Sequence, residues 1–287
     1  VRKRGNGYHE VFGVELRRVT SILDRLKRWG LDEWQASCAI DFIMSELVAP
    51  LAKGWMTLQQ LQETDLERIR DGAMDEARKK MKASQTLGRR VHDAIHGYYK
   101  ATQNRALLER IAKAEPELEP GIRGFMAWED EFKVEMVFSE RLVFSFSRKY
   151  SGQLDLQAKI ILPSENCGED PPRRLYVVDF KTGNPDPKHV IQIAAYAMAV
   201  EEMGRREVDG AGLVYLDQDT GKPRWKGYER RQLLMPFMMF EKIKGFCDLE
   251  DEWKRGDSDF EEGPPANDTS PAAAPAATGP AGPPIFE

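Results

Sequence analysis

Apolar residues recur at helical spacing through the first third of the chain and at alternate positions through its middle, which predicts a change from helix to sheet near Glu131. The helical part opens at Val19-Thr20-Ser21-Ile22-Leu23, where Thr20 or Ser21 is placed as an N-cap ahead of Ile22, Leu23 and Leu26. Trp29, Trp34, Phe42, Leu47, Leu51 and Trp55 supply the apolar faces of an N-terminal helical lobe. Thr57 before Leu58 and Gln60 reads as another capped start, and helical periodicity continues to about Ala112. Leu87, Val91, Ile95 and Tyr98 fall on one face of an amphipathic helix over 87–99.

Beyond the change of period, Phe132, Val134, Met136 and Phe138 alternate with polar residues, as do Leu142, Phe144 and Phe146, and then Leu154, Leu156, Ala158 and Ile160. Residues 175–180 form a shorter, continuous apolar run, the pattern of a central strand covered on both faces. The polar, proline-bearing stretch 163–174 between them is a loop. Asp186-Pro187 is an N-cap followed by proline in the first turn, opening a helix to about Met203. Residues 211–216 are a further strand, 224–228 its hairpin partner, and 233–253 a closing helix. The predicted fold is α/β: a mixed central sheet flanked by helices, preceded by a helical lobe. The expected divisions are 1–85 for the lobe, 86–255 for the core and 256–287 for a tail.

Composition narrows the class. Hydrophobic residues are 41% and charged residues 31% of the 287, ordinary for a globular protein. No apolar run is long enough to span a bilayer, and Val1-Arg2-Lys3-Arg4 lacks the apolar core of a signal peptide. Cys38, Cys167 and Cys247 are odd in number and scattered, which argues against disulfides and against a four-cysteine metal centre; the cytoplasm is the expected compartment. The net charge is −5, but the chain from Asp248 onward has ten acidic residues against Lys254 and Arg255, leaving the rest at +3. A mildly basic body with an acidic end is compatible with a nucleic-acid partner. The acidic, then Pro-, Ala- and Gly-rich tail buries too little apolar surface to order itself.

Against that background, four segments carry chemistry: Gly88-Arg89-Arg90-Val91-His92 on a helix, Gly152-Gln153-Leu154-Asp155 on a strand, Asp179-Phe180-Lys181 at a strand end, and Gln192 with Tyr196 on the next helix. Asp155 and Asp179 share a hard divalent ion if their strands are neighbours, since magnesium and manganese take oxygen ligands. Asp179 and Lys181 are two apart and project from one face, so the ammonium reaches a water or a phosphate oxygen. A neutral imidazole at His92 adds a ligand from the helical side. Gln192 and Tyr196 are four apart and face one way, placed to orient the lysine, a phosphate or a base.

The glycine-led histidine, G-x-x-D, D-x-K and Q-x-x-x-Y, in that order, resemble the RecB-like branch of the PD-(D/E)XK nuclease superfamily, including phage-type exonucleases and the mitochondrial genome maintenance exonuclease. The motif-bearing match spans 86–203. The resemblance implies a restriction-endonuclease-like core and Mg²⁺- or Mn²⁺-dependent hydrolysis of DNA, acting on free or single-stranded ends in phage DNA metabolism or bacterial repair. It implies metal binding by His92, Asp155, Asp179 and the Phe180 backbone carbonyl, with Asp155, Asp179 and Lys181 catalytic. Glu140 corresponds to a further acid of some relatives. No iron–sulfur cluster is expected, because only Cys247 follows the motif-bearing stretch 86–203.

Each sign also has a plain structural reading. D-x-K alone is usually a solvated charge pair, Gly152 alone a strand irregularity, and His92 alone a satisfied helix histidine with His96 as its twin one turn on. Arg89 and Arg90 read as solvated charges or as phosphate contacts. Trp29, Trp34 and Trp55 read as core before base-stacking platforms. Ile285-Phe286 after the acidic stretch is a candidate docking point for a protein partner. The alternatives to an exonuclease are a structure-specific endonuclease and a DNA-end-binding scaffold with a vestigial site.

Overall fold

A computed structural model of the chain describes residues 2–4, 7–26, 31–60, 62–166 and 170–258. In chain order the strands are β1 (Arg2–Arg4), β2 (Tyr8–Val11) and β3 (Val14–Arg18), followed by helices α1 (Val19–Leu23), α2 (Leu31–Ile43), α3 (Ala49–Ala52), α4 (Glu63–Lys100), α5 (Arg105–Ala114) and α6 (Glu119–Phe132). Then come β4 (Glu135–Ser145), β5 (Tyr150–Ile160), β6 (Arg174–Lys181), α7 (Pro187–Gly204), β7 (Gly210–Leu216), β8 (Pro223–Glu229) and α8 (Leu234–Ser258). A π turn, Met44–Val48, joins α2 to α3.

One eight-stranded mixed sheet organises the fold. Strand β5 is its pivot. β4 lies antiparallel along one edge from Ser145↔Tyr150 to Glu135↔Lys159. β3 meets the start of β5 in parallel at Tyr150 and Ser151, and β6 pairs antiparallel with its end, from Ile160↔Arg174 to Leu156↔Val178. Because β4 already occupies one edge throughout, β3 and β6 share the other, with a gap between them opposite residues 152–155. α7 is the crossover that makes β6 and β7 parallel, and β8 closes the sheet as the predicted hairpin.

Helices cover both faces, so the core is two layers. Val19, Ile22, Tyr150, Leu154, Val177, Ile193, Leu213 and Phe240 pack on the side of α1, α7 and α8. Val91, Ile95, Phe125, Trp128, Leu156, Val178, Phe180 and Val214 pack on the side of α4 and α6. Strand alternation explains the split in β6, where Val177 goes one way and Val178 the other. Tyr176 to Phe180 are all buried, as the continuous apolar run predicts for a strand covered twice, and so is every residue from Gly210 to Leu216.

Several local expectations are corrected. The first strands were not anticipated: the β2–β3 turn at Phe12 and Gly13 has φ of 50° and 80°, and a short, charge-rich hairpin gives a weak alternation. Thr20 and Ser21 lie inside α1, whose N-cap is Arg18 without a side-chain cap bond. Phe132 ends α6 rather than starting a strand, because Lys133 turns left-handed at φ 48°. Leu58 opens only a single turn, and α4 starts later in a capping box of Gln62 and Asp65. The helix expected over 87–99 is the end of α4, and the division expected at 85/86 falls inside it. Cys167 and Trp29 lie outside the described residues.

In the lobe, α2 packs on the first half of α4, with Cys38, Ile69, Ala73 and Ala77 buried. Phe42 lies against Gly72, where a Cβ would stand 2.5 Å from the ring. The chain divides into units Val1–Cys247 and Asp248–Glu287. The described part of the second is helical to Ser258, two residues past the expected start of the tail, with Lys254 ion-paired to Glu250 at 2.8 Å. The rest of the tail lies outside the described residues. Among them, no helix is long and apolar enough to cross a membrane.

Candidate active site

The four chemistry-bearing segments meet where β5 and β6 part. In the antiparallel register the rung after Leu156↔Val178 would pair Asp155 with Asp179. That rung does not form. Instead the Phe180 N–H donates to Asp155 Oδ2 at 2.8 Å, and the two carboxylates are left beside the gap. On the other edge the ladder is interrupted at the same level, passing from Arg141↔Leu154 to Ser139↔Leu156, and Glu140 between them has φ 51°. Around this interruption β5 changes the core layer it serves: Leu154 packs with α7, Leu156 with α4 and α6.

Two close approaches bring the helices in. A Cβ at Gly88 would lie 2.4 Å from Thr182 Oγ1, so glycine lets α4 reach the end of β6. A Cβ at Gly152 would lie 2.2 Å from the Tyr196 ring, so glycine lets α7 settle on β5. Gly152 is therefore a packing requirement of the site and not only a strand irregularity.

From α4, His92 Nδ1 stands 3.4 Å from Asp155 Oδ2, and its ring meets the buried Phe180 ring edge-on at 6.3 Å. One ligand atom each from His92, Glu140 and Asp155 lie within 4.8 Å of one another. Asp179 does not join that grouping. It sits 2% exposed beside the Lys181 ammonium, with Nζ 2.5 Å from Oδ2. That contact pairs the two charges and works against the effect of burial on the carboxyl group. The Gln192 side chain links the pieces: its carbonyl accepts from Lys181 Nζ at 3.1 Å, and its amide nitrogen reaches Tyr196 Oη at 3.0 Å and Asp179 Oδ1 at 3.5 Å.

The electrostatics follow from burial and crowding. Burial opposes charge on His92, but the Asp155 and Asp179 carboxylates outweigh it and push the imidazole up to about 9. Burial pushes Asp179 up to about 6, reinforced by Asp155 and opposed by Lys181. Asp155 is held below the usual range: burial raises it, but His92, Lys181 and the Phe180 N–H prevail. Lys181 is raised, because Asp179 and Asp155 overcome burial, so it stays an ammonium. Burial and Asp155 raise Glu140.

These residues suit a hard divalent cation. Carboxylate oxygens and an imidazole are the ligands such ions take. His92, Glu140 and Asp155 already bring one such atom each within 4.8 Å of one another, and the Asp155 and Asp179 carboxylates crowd negative charge there that a cation would offset.

His96 is separate from this cluster: its Nδ1 pairs with Ser139 Oγ at 3.2 Å, a structural role. Arg90 is bound to Glu115 and, at 2.9 Å, to Glu117, which ties α4 to the segment before α6. Arg89 stays exposed. Two contributors escaped the sequence reading. Gln153 donates to Glu140 and orients it, although its place inside G-x-x-D was a signal. Thr182 is the residue under Gly88.

The family model for the PD-(D/E)XK nuclease superfamily matches residues 59–266, more than half of the chain and all of the segments just described. No curated protein matches the chain.

Proposed function

The chain belongs to the PD-(D/E)XK nuclease superfamily, and from that premise we propose that it is a Mg²⁺- or Mn²⁺-dependent DNA exonuclease of the RecB-like, phage-type branch, hydrolysing phosphodiester bonds at free or single-stranded ends. The observation that carries the reading is the joining of an aspartate pair, an imidazole and an ammonium group at one interruption of the sheet. His92, Asp155 and Asp179, with the Phe180 carbonyl, are the proposed ligands, and Glu140 a further one. A divalent cation bound there supplies positive charge to the scissile phosphate and lowers the pKa of water.

The chain's own groups do the rest. Lys181 keeps its proton and so acts by charge: it holds the attacking water in line with phosphorus and stabilises the charge that builds on the phosphate. Asp179 and Gln192 hold that ammonium from two sides, and Tyr196 fixes Gln192. To serve as a ligand His92 would have to give up the proton that Asp155 and Asp179 favour, so cation binding would release a proton. The setting proposed is the cytoplasm of a bacterial or phage-infected cell, with the C-terminal tail as a contact for a protein partner.

Digestion of end-labelled single- and double-stranded DNA, with each end blocked in turn, tests the reading. Shortening that needs an open end, stops in EDTA and returns with magnesium or manganese supports it. Cleavage of covalently closed circles replaces the exonuclease with a structure-specific endonuclease. Binding without shortening replaces it with an end-binding scaffold, and cleavage that survives rigorous chelation removes the metal mechanism.

A further inference from the structure

Helix α4 is one continuous element of 38 residues, and its charge reverses along its length. Residues 63–76 carry six acidic side chains against Arg68 and Arg70, whereas 78–90 carry Arg78, Lys79, Lys80, Lys82, Arg89 and Arg90 and no acid. The basic half is the one that ends at His92.

Within it, Arg78, Lys82, Gln85, Arg89 and His92 follow one another at intervals of four, three, four and three. That spacing puts all five on one face, spread over roughly 80° at 100° per residue. The buried side of the same helix, marked by Ala73, Ala77, Val91 and Ile95, points away from this stripe. Arg78, Lys82, Gln85 and Arg89 are all exposed. Neither Lys82 nor Arg89 has an ion-pair partner among the described residues. Among the described residues Arg78 meets only Asp75, at 2.8 Å on an open surface, where a pair holds weakly. Followed further from His92, the same face reaches Met74, Asp71 and Glu67, so the positive track stops at Arg78.

We propose that this stripe is the path of a single DNA strand entering the site, with Arg78, Lys82 and Arg89 each holding a backbone phosphate. The inference rests on the nuclease reading and adds to it the side from which the strand arrives. At 1.5 Å per residue, Arg78 lies about 21 Å from His92 along the helix, a distance that spans a few nucleotides of extended strand. Cations at helical spacing contact phosphates without reading bases, so the track is sequence-independent. The acidic half of α4 repels any strand that runs on, which limits the contact to a short segment.

The test is the salt dependence of binding to a fluorescein-labelled dT20 oligonucleotide in EDTA, where nothing is cut. Removing one phosphate-binding cation should lower the slope of log K against log salt by about 0.7. The double variant Lys82→Ala, Arg89→Ala is expected to lower it by about 1.4. The charge-preserving pair Lys82→Arg, Arg89→Lys should keep the wild-type slope, which separates loss of charge from loss of folding. Lys80→Ala is the control, because Lys80 lies on the opposite side of the same helix, paired with Glu76 at 3.4 Å. An unchanged slope in the double variant, or an equal fall in Lys80→Ala, overturns the stripe while wild-type cleavage keeps the nuclease reading intact. A wild-type protein that neither holds nor cuts the oligonucleotide overturns both.

Discussion

The gap beside β5, where β6 parts from it, and the lobe from α2 to the first half of α4 present opposite surfaces to the outside. At the gap, polar groups are buried inside an apolar frame: Asp179 is 2% exposed and flanked by Val178 and Phe180, both sealed in the core. In the lobe, apolar groups are left in the open: Trp55 is 74%, Leu58 76% and Met74 73% exposed. Each departs from the ordinary rule in a different direction. Buried charges of low tolerance mark the place where geometry must be held, since a charge in such a position persists only if its partners are fixed. Exposed apolar side chains demand little of their neighbours. The difference predicts that substitutions near the gap act through chemistry or packing, and those at the exposed apolar positions of the lobe through neither.

The largest effect is expected at the aspartate–lysine pair. Asp179→Asn and Lys181→Ala should each lower cleavage of labelled DNA by at least about a hundredfold, the scale of losing one preorganised charge at a reaction centre. Stability should shift with pH for the first of them. Folding raises the Asp179 carboxyl from its usual 3.8 up to about 6, so the folded state favours the protonated form. The associated stability is present below about pH 4 and is lost as pH rises through 6. Above that range the wild type carries a buried carboxylate at a cost that asparagine lacks. The thermal melt of Asp179→Asn should therefore gain on that of the wild type as pH rises from 4 to 8, on top of a pH-independent change from altering the partner of Lys181. A variant that cuts normally, or one that is inactive only because it has unfolded, breaks the contrast between gap and lobe.

Gly152 offers a smaller effect of a different kind. A methyl group there would collide with the Tyr196 ring at 2.2 Å, and that ring is 2% exposed with α7 packed behind it. Gly152→Ala should destabilise by about 1–3 kcal/mol, as overpacking of a filled core does. It should also displace Tyr196 from Gln192 and so lower activity beyond the change in the folded fraction. Chemical denaturation beside cleavage rates at a temperature where both proteins are folded separates the two losses. A melt equal to the wild type would show that the α7–β5 contact has slack.

These outcomes also bear on how much of the molecule its amino-acid order makes legible. The central strands and α7 were legible because burial on two faces or one leaves a period in the sequence, as in Leu156, Ala158 and Ile160. The acid, acid and lysine were legible because D-x-K and G-x-x-D fix which face a side chain takes. Helix α6 was not: helical periodicity was followed only to about Ala112, and α6 holds Pro120, Gly121 and Gly124. Proline is tolerated in a first turn, and the two glycines stand close to Gln218 and to the Gly221 carbonyl. Nothing in a glutamate announces the left-handed backbone of Glu140, which depends on the strands parting around it. The roles of Arg89 and Arg90 diverge because Glu115 and Glu117, more than twenty residues away, fold back onto only one of them.

The smallest effect is expected at Trp55, and it tests the lobe directly. The sequence pattern assigns this residue to a helical core, yet its ring stands mostly in solvent with the Lys53 ammonium 4.5 Å from the centroid. An exposed cation–π contact is worth about 0.5–1 kcal/mol at most. Against it, Trp55→Ala relieves apolar surface from water, so the two changes offset. The net shift should stay within about 0.5 kcal/mol, the range of surface substitutions, and cleavage should be unaltered. In a melt this amounts to less than about 2 °C. A loss as large as that of Gly152→Ala would mean that the ring is covered in solution. Repeating the melt at tenfold dilution then decides by what: a midpoint that falls on dilution identifies a second copy of the chain, and one that does not identifies closure of the lobe on itself.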